Sequence, residues 1–211
     1  MNTETRTILA IEAAVEGGSL SLLQNSREVA NWIGTSGISK AEDLLFNIDR
    51  LLTENGVSRF DIDLIAVSAG PGSFTGIRIG LATAMGLRAG LNTEICSVSA
   101  LTSIANAVTK TNDVIVALPT GRNSICTQRF EKIENQAIAQ NAPQTIDQEN
   151  FGEILRAENN VEIIIHGSLA DDNDVAERHT NFGWNIANAV GRFCNDHPAQ
   201  FDEPLFISKS F

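Results

Sequence analysis

Short apolar runs alternate with turn residues through the first hundred positions. Thr7 to Ile11 is a compact Ile/Leu/Ala run that reads as a buried strand. After a turn at Glu16-Gly17-Gly18, Ser19-Leu20-Ser21-Leu22-Leu23 alternates polar and apolar residues with the period of two of a strand. A second turn at Gln24-Asn25-Ser26 leads into Glu28 to Ile33, which completes a three-stranded meander. The period then changes to that of a helix. Ser39 with Glu42 forms a capping box, and Ala41, Leu44, Leu45, Ile48, Leu51 and Leu52 give an apolar face over 39–55, closed by Gly56. Leu64 to Val67 reads as a central strand feeding directly into Gly70-Pro71-Gly72-Ser73-Phe74-Thr75-Gly76, with a helix from Ser73 to about Gly90. Ile95 to Val98 is a further strand, and Ser99 starts a helix through Ala107.

The order then partly repeats. Val114 to Leu118, Ser124 to Phe130 and Ile133 to Ala139 read as strands, Phe151 to Ala157 as a helix, and Val161 to Ile165 as a buried strand that His166 ends. Asp174 to Phe193 reads as a long helix with a possible break at Gly183. The expected architecture is α/β: two βββαβα-type lobes with mixed sheets, residues 1–101 and 102–211, the second lobe diverged. The C-terminal segment is free to pack back on the first lobe.

Composition narrows the classes. At 211 residues, 43% hydrophobic and 19% charged, the chain is globular, and a disordered or fibrous chain is excluded. With 15 Lys+Arg against 26 Asp+Glu the net charge is −11, which repels a phosphate backbone, so that any RNA would be reached through a partner, unless the acidity serves solubility alone. Cys96, Cys126 and Cys194 are an odd number without C-x-x-C spacing, so neither a disulfide framework nor a zinc knuckle is expected, and a reducing, cytoplasmic setting fits. The N-terminus offers no signal h-region, and Arg78 and Arg88 interrupt the longest helical apolar stretch, so no membrane association is expected.

Candidate chemistry centres on glycines. Gly70, Gly72, Gly76, Gly80, Gly86 and Gly90 crowd into 21 residues that contain no acid. An interior glycine costs a helix about 1 kcal/mol relative to alanine, so close packing must favour them. Gly72, Gly76, Gly80 and Ala84 fall four apart as a stripe without side chains, which suits a close contact either inside the lobe or with another subunit. A nucleotide is the other candidate: Glu12 with Gly17 and Gly18 as one phosphate turn, and Gly70, Gly72 and Ser73 as an anion cradle at a helix N-terminus. The cradle matches neither the dinucleotide fingerprint nor a P-loop, and an unusual strand-to-helix turn explains it as well. Mg²⁺ would also need an acid after the strand Val114 to Leu118, where Pro119-Thr120-Gly121 supplies none. His166, His179 and His197 form no H-x-x-x-H pair, Cys194-x-x-His197 stands alone, and Ser73 has neither a nucleophile elbow nor an assignable base. No catalytic residue, metal site or cofactor is therefore assigned.

Two stretches carry a family resemblance: Ile8-Leu9-Ala10-Ile11-Glu12-Ala13-Ala14, and above all Ser68 through Ala82 with its G-P-G-S-F-T-G-I-R core. The chain resembles the TsaB family over roughly residues 7–100, with a weak return at Pro204-Leu205-Phe206-Ile207. The resemblance implies an actin-like ATPase (ribonuclease H-like) fold and a non-catalytic scaffold subunit in making threonylcarbamoyladenosine at position 37 of tRNA. It implies pairing with TsaD, the metal-holding subunit, alongside TsaE and TsaC, with tRNA bound only through the complex. It also implies an interface on the first two helices, carried here onto Leu44, Leu45, Ile48, Gly72, Phe74, Gly76, Arg78 and Gly80, a surface equally able to form a homodimer. The sequence departs from the family at Glu12-Ala13, Lys40-Ala41 and Pro119-Thr120-Gly121. An ATP-dependent small-molecule kinase or ATPase of the same fold is the alternative.

Overall fold

The computed structural model describes residues 6–35, 43–108, 111–121, 123–157, 161–169, 179–183 and 185–205. The expected capping box at Ser39 and Glu42, Lys40-Ala41, and the Phe206-Ile207 end of the tail motif lie outside them.

The first sheet is built around β1 (Thr7–Glu12), whose six residues are all buried. Antiparallel β2 (Ser19–Gln24) and β3 (Arg27–Ile33) follow, then α1 (Leu44–Glu54), β4 (Leu64–Ser68), α2 (Phe74–Leu91) and β5 (Glu94–Val98). The strand order is β3-β2-β1-β4-β5, with β4 parallel to both β1 and β5. The alternation in β1 divides the sheet's faces. Leu9 and Ile11 join Leu20, Ile65 and Val67 under α1 and α2, whereas Ile8 and Ala10 face the other way, into the core between the lobes. Helix α2 ends one turn-residue later than its glycines suggest, on Asn92 in the left-handed conformation.

The second sheet repeats this plan. After α3 (Ala100–Ala107) come β6 (Asp113–Gly121), β7 (Ser124–Ile133), β8 (Gln136–Ala139), β9 (Gln144–Asp147), α4 (Gln148–Ala157), β10 (Glu162–His166) and β11 (His179–Gly183), in the order β11-β10-β6-β7-β8. Thus β6, β7, β8, β10 and β11 stand where β1, β2, β3, β4 and β5 stand in the first sheet. Strand β9 is an addition the sequence pattern did not reveal, because Gln144-Thr145-Ile146-Asp147 is polar and pairs along the far half of β7. Of the long helix expected over 174–193, residues 174–178 lie outside the described ones and the rest is corrected: 179–183 is a parallel strand beside β10, Gly183 takes φ +85°, and α5 covers Ile186–Asp196, capped by Asn185 Oδ1 accepting from the Asn188 amide.

Each sheet's trailing helix crosses over. Helix α5 lies against β1, β2 and β4 of the first sheet, while α3 lies against β6, β7 and β8 of the second, and the two helices pack on each other. Leu101, Ile104, Ala105, Ala187 and Val190, all fully buried, fill the space between the sheets. Gly191 lets α5 approach, since a Cβ there would press on Leu23 and lie 3.0 Å from the Ala10 Cβ. One further expectation is corrected here. Cys96 on β5 and Cys194 on α5, 98 residues apart, form a disulfide with a Cα–Cα distance of 5.8 Å, a pairing that odd cysteine number and spacing could not reveal. Among the described residues no helix is long and apolar enough to cross a membrane.

Candidate functional site

The turn after β1 is held by its own acid. Glu12 is buried, and its Oε1 accepts hydrogen bonds from the Ala14 and Val15 amides at 2.6 and 2.8 Å. The turn closes through the Gly18 amide donating to the Val15 carbonyl, and the Gly34 amide donates in turn to the Gly18 carbonyl. Burying a carboxylate is costly unless strong donors meet it, and two short amide bonds meet this one.

The turn after β4 docks onto that structure. Gly70 adopts φ +96°, a conformation that suits glycine alone, and the Gly70–Pro71 bond is cis. The Gly70 carbonyl accepts from the Ala100 amide at 2.7 Å and the Ala69 carbonyl accepts from the Leu205 amide at 2.8 Å. The Ser73 amide donates to the Ala14 carbonyl at 2.7 Å, and Ser73 Oγ caps α2 by accepting from the Gly76 amide at 3.0 Å. The structure seats the Gly70–Ser73 turn on the β1–β2 turn through Ala13 and Ala14, which Glu12 fastens, while Gly17 and Gly18 lie at the far end of that turn, against Gly34. The β1–β2 turn supplies the carbonyl that occupies the Ser73 amide.

The same docking accounts for the inner glycines. A Cβ on Gly72 would lie 2.6 Å from the Ala14 Cβ, and one on Gly76 would overlap the Ala13 carbonyl oxygen. Gly80 is looser, with Ala13 Cβ at 3.4 Å and Val67 Cγ2 at 3.8 Å. The close approach predicted from the four-residue stripe is therefore made inside the lobe. Leu44 and Ile48 likewise turn inward, 3% exposed each, because the helical period places them with Leu51 and Leu52 on the sheet.

The outer faces are different. On α2, Phe74 and Met85 are each 52% exposed, and Arg78, Ala82, Gly86, Ala89 and Gly90 are exposed beside them. The Arg78 guanidinium stacks 3.7 Å above the Phe74 ring. Among the described residues nothing lies within 4 Å of where a Cβ on Gly86 or Gly90 would stand. On α1, Leu45 and Phe46 are 57% and 64% exposed. Phe46 and Met85 were missed by the sequence reading, although the period that buries Leu44 and Ile48 also turns position 46 outward.

The matching turn of the second lobe, between β6 and β7, is tight. Thr120 Oγ1 lies 3.3 Å from both the Ser124 carbonyl and its Oγ, and no carboxylate is present in Pro119-Thr120-Gly121. Among the described residues no group of three His, Cys, Asp or Glu is arranged to hold a metal ion. His166 closes β10 as expected, with Nδ1 2.9 Å from Ser168 Oγ.

Known proteins match this arrangement. The family model described as TsaD, tRNA N6-adenosine threonylcarbamoyltransferase, matches residues 39–187. The tRNA threonylcarbamoyladenosine biosynthesis protein TsaB of Escherichia coli K12 is 30% identical over 131 residues, 61% of this chain and 56% of that protein. The TsaB protein of Buchnera aphidicola subsp. Baizongia pistaciae is 38% identical over 104 residues, 49% of this chain and 47% of its own. The chain spans about half the length of the curated relatives it matches. The structure of YeaZ from Pseudomonas aeruginosa superposes with a TM-score of 0.71 at 19% identity, covering 96% of this chain and all of that one. The architecture is the actin-like ATPase fold. A model match across most of the chain, with TsaB proteins among its relatives and YeaZ among its structural neighbours, means that the chain belongs to the TsaD family of that description, on its TsaB/YeaZ side.

Proposed function

We propose that this chain is a non-catalytic scaffold subunit in the formation of N6-threonylcarbamoyladenosine at position 37 of tRNA. It binds a TsaD-type subunit through the outer faces of α1 and α2, supports it together with TsaE, and works in the cytoplasm. One observation carries the reading: α2 is apolar on both sides, yet the described residues cover only one of them. Such a helix calls for cover on its second side. Phe74, Met85, Leu45 and Phe46 supply apolar anchors, Ala82, Gly86 and Gly90 leave room for a partner helix, and Arg78 adds a cation to α2, which has no acid. The acidic chain as a whole suits a protein that meets tRNA through its partner.

The reading also explains the two turns. Glu12 Oε1 and the Ser73 amide already have partners within the chain, so the residues that an ATP-using enzyme would turn toward phosphate serve the fold. Calorimetric titration with TsaD tests the interface. Phe74→Asp and Met85→Glu are each expected to weaken binding on the order of a hundredfold while the melting temperature stays within a few degrees. Unchanged affinity in both variants removes the interface. Reconstitution with TsaC, TsaD and TsaE tests the role: modification of tRNA is expected to depend on the chain, and turnover of Mg-ATP by the chain alone would return it to the kinases. Light scattering with and without TsaD shows whether a second copy of the chain competes for the same face.

A further inference from the structure

The C-terminal residues form a strap along an open sheet edge. Strand β5 is the last of the first sheet, and its free side is covered by 197–205. The Ser97 amide donates to the Gln200 carbonyl at 3.0 Å, the Asp202 amide returns a bond to the Ser97 carbonyl at 2.9 Å, and Asp202 Oδ2 accepts from the Ser99 amide at 2.9 Å. At Leu205 the strap reaches the Ala69–Gly70 turn, the Leu205 amide donating to the Ala69 carbonyl. It is a surface segment, with Phe201 53% exposed. Where it begins, Cys194 is bonded to Cys96, both fully buried, and Cys96 Sγ lies 3.5 Å from the His197 carbonyl oxygen.

We propose that Cys96–Cys194 is a redox latch for this strap. The bond fixes the root of the strap one residue from Ser97, where its backbone pairing starts. Oxidised, the latch closes a long covalent loop and holds the strap down; reduced, the strap keeps only its part-buried hydrogen bonds to Ser97, Ser99 and Ala69 and the packing of Leu205, and opens more readily. The exchange is balanced with a small-molecule disulfide such as oxidised glutathione. One protein thiolate attacks it, releasing one small thiol, and the second protein thiolate displaces the other, so the protein loses two electrons and the glutathione gains them with two protons. Both sulfurs are buried, with the His197 carbonyl at the root of the strap against Cys96, so a reductant reaches them only through local opening. In a reducing compartment the square of the small thiol's concentration divided by that of the small disulfide then sets how many molecules are latched. Cys126 takes no part: burial in β7 pushes its thiol up to about 12, so it forms almost no thiolate at neutral pH.

The full chain is equilibrated with oxidised or with reduced glutathione, then alkylated under denaturing conditions and weighed. One alkyl group per chain is expected in the first sample and three in the second. In parallel, hydrogen exchange of the Ser97, Asp202 and Leu205 amides is expected to speed up on the order of tenfold or more on reduction, with the β6 amides unchanged. Cys194→Ser should show the fast exchange in either buffer; if that variant does not fold, the two redox states of the wild type still decide. Three alkyl groups after oxidation, or equal strap protection in the two states, overturns the latch.

Discussion

The two lobes share a strand order but solve the same turn in opposite ways. In the first, the β1–β2 connection is a broad loop over residues 13–18, fastened by Glu12 beneath it and seated against Gly72, Ser73 and Gly76 of the next turn. In the second, β6 and β7 meet directly around Gly121 and Ser124, with Thr120 bonding across. One topology therefore yields a loop that has become structural scaffolding and another that has shrunk to a short reversal. Gly72 and Gly76 follow from this difference: they stand where the two turns interlock, with Ala13 and Ala14 too close for a side chain.

The largest expected effect separates the two turns. Gly76→Leu must push aside the Ala13 carbonyl, a backbone atom that β1 holds in place, and is expected to cost the fold more than about 3 kcal/mol in urea unfolding. Gly121→Ala, at the corresponding turn of the second lobe, meets only Ser124 Oγ at 3.3 Å and should stay within about 0.5 kcal/mol. Equal costs would mean that the interlock contributes nothing.

Glu12 sharpens the comparison at a smaller magnitude. Glu12→Ala leaves the Ala14 and Val15 amides unpaired in a buried turn and is expected to cost about 2–3 kcal/mol, whereas Glu12→Gln keeps an acceptor oxygen and should recover about half of that. Thr120→Val in the second lobe removes one half-buried hydroxyl bond and should cost about 1 kcal/mol or less. Thermal unfolding of the three variants ranks them. If Glu12→Ala unfolds no earlier than Thr120→Val, the carboxylate does not fasten the turn.

Much of this was readable from residues. Strands whose alternation or apolar run is complete, such as β1, β2 and β4, emerge within a residue or two of their expected bounds, and Ser73 starts α2 as its type and position indicate. Two kinds of information were not local. Which side of α2 needs its glycines depends on the loop from β1, sixty residues away in sequence, so a stripe four apart predicted close packing without its partner. The stretch 179–193 looked like one helix because His179-Thr180-Asn181-Phe182 becomes a strand only through its pairing with β10. The disulfide belongs with these, since nothing near Cys96 or Cys194 marks the other.

The crossing helices offer the finest test of the comparison. Helix α3 is fixed to the second lobe by an uncharged group, Asn106, whose Oδ1 accepts from the Ala137 amide at 3.0 Å. Helix α5 is fixed to the first lobe partly by a carboxylate: Glu28 Oε1 accepts from Ser21 Oγ at 2.6 Å and from Asn185 Nδ2 at 2.7 Å. Partial burial pushes the Glu28 carboxyl up, but hydrogen bonds from Asn188, Ser21, Asn185 and Asn31 together outweigh it, and the group rests below its ordinary value of 4.5. A folded-state pKa below the unfolded one contributes stability that is present above pH 4.5 and fades as pH falls through the folded value. The carboxyl is largely open to solvent, so the effect is small. Melting temperatures of the wild type and Glu28→Gln should therefore differ slightly at pH 6 and converge toward pH 3, with Asn106→Asp or other changes at α3 showing a different profile. A gap that widens on acidification would mean that α5 is held by something other than the ionised Glu28.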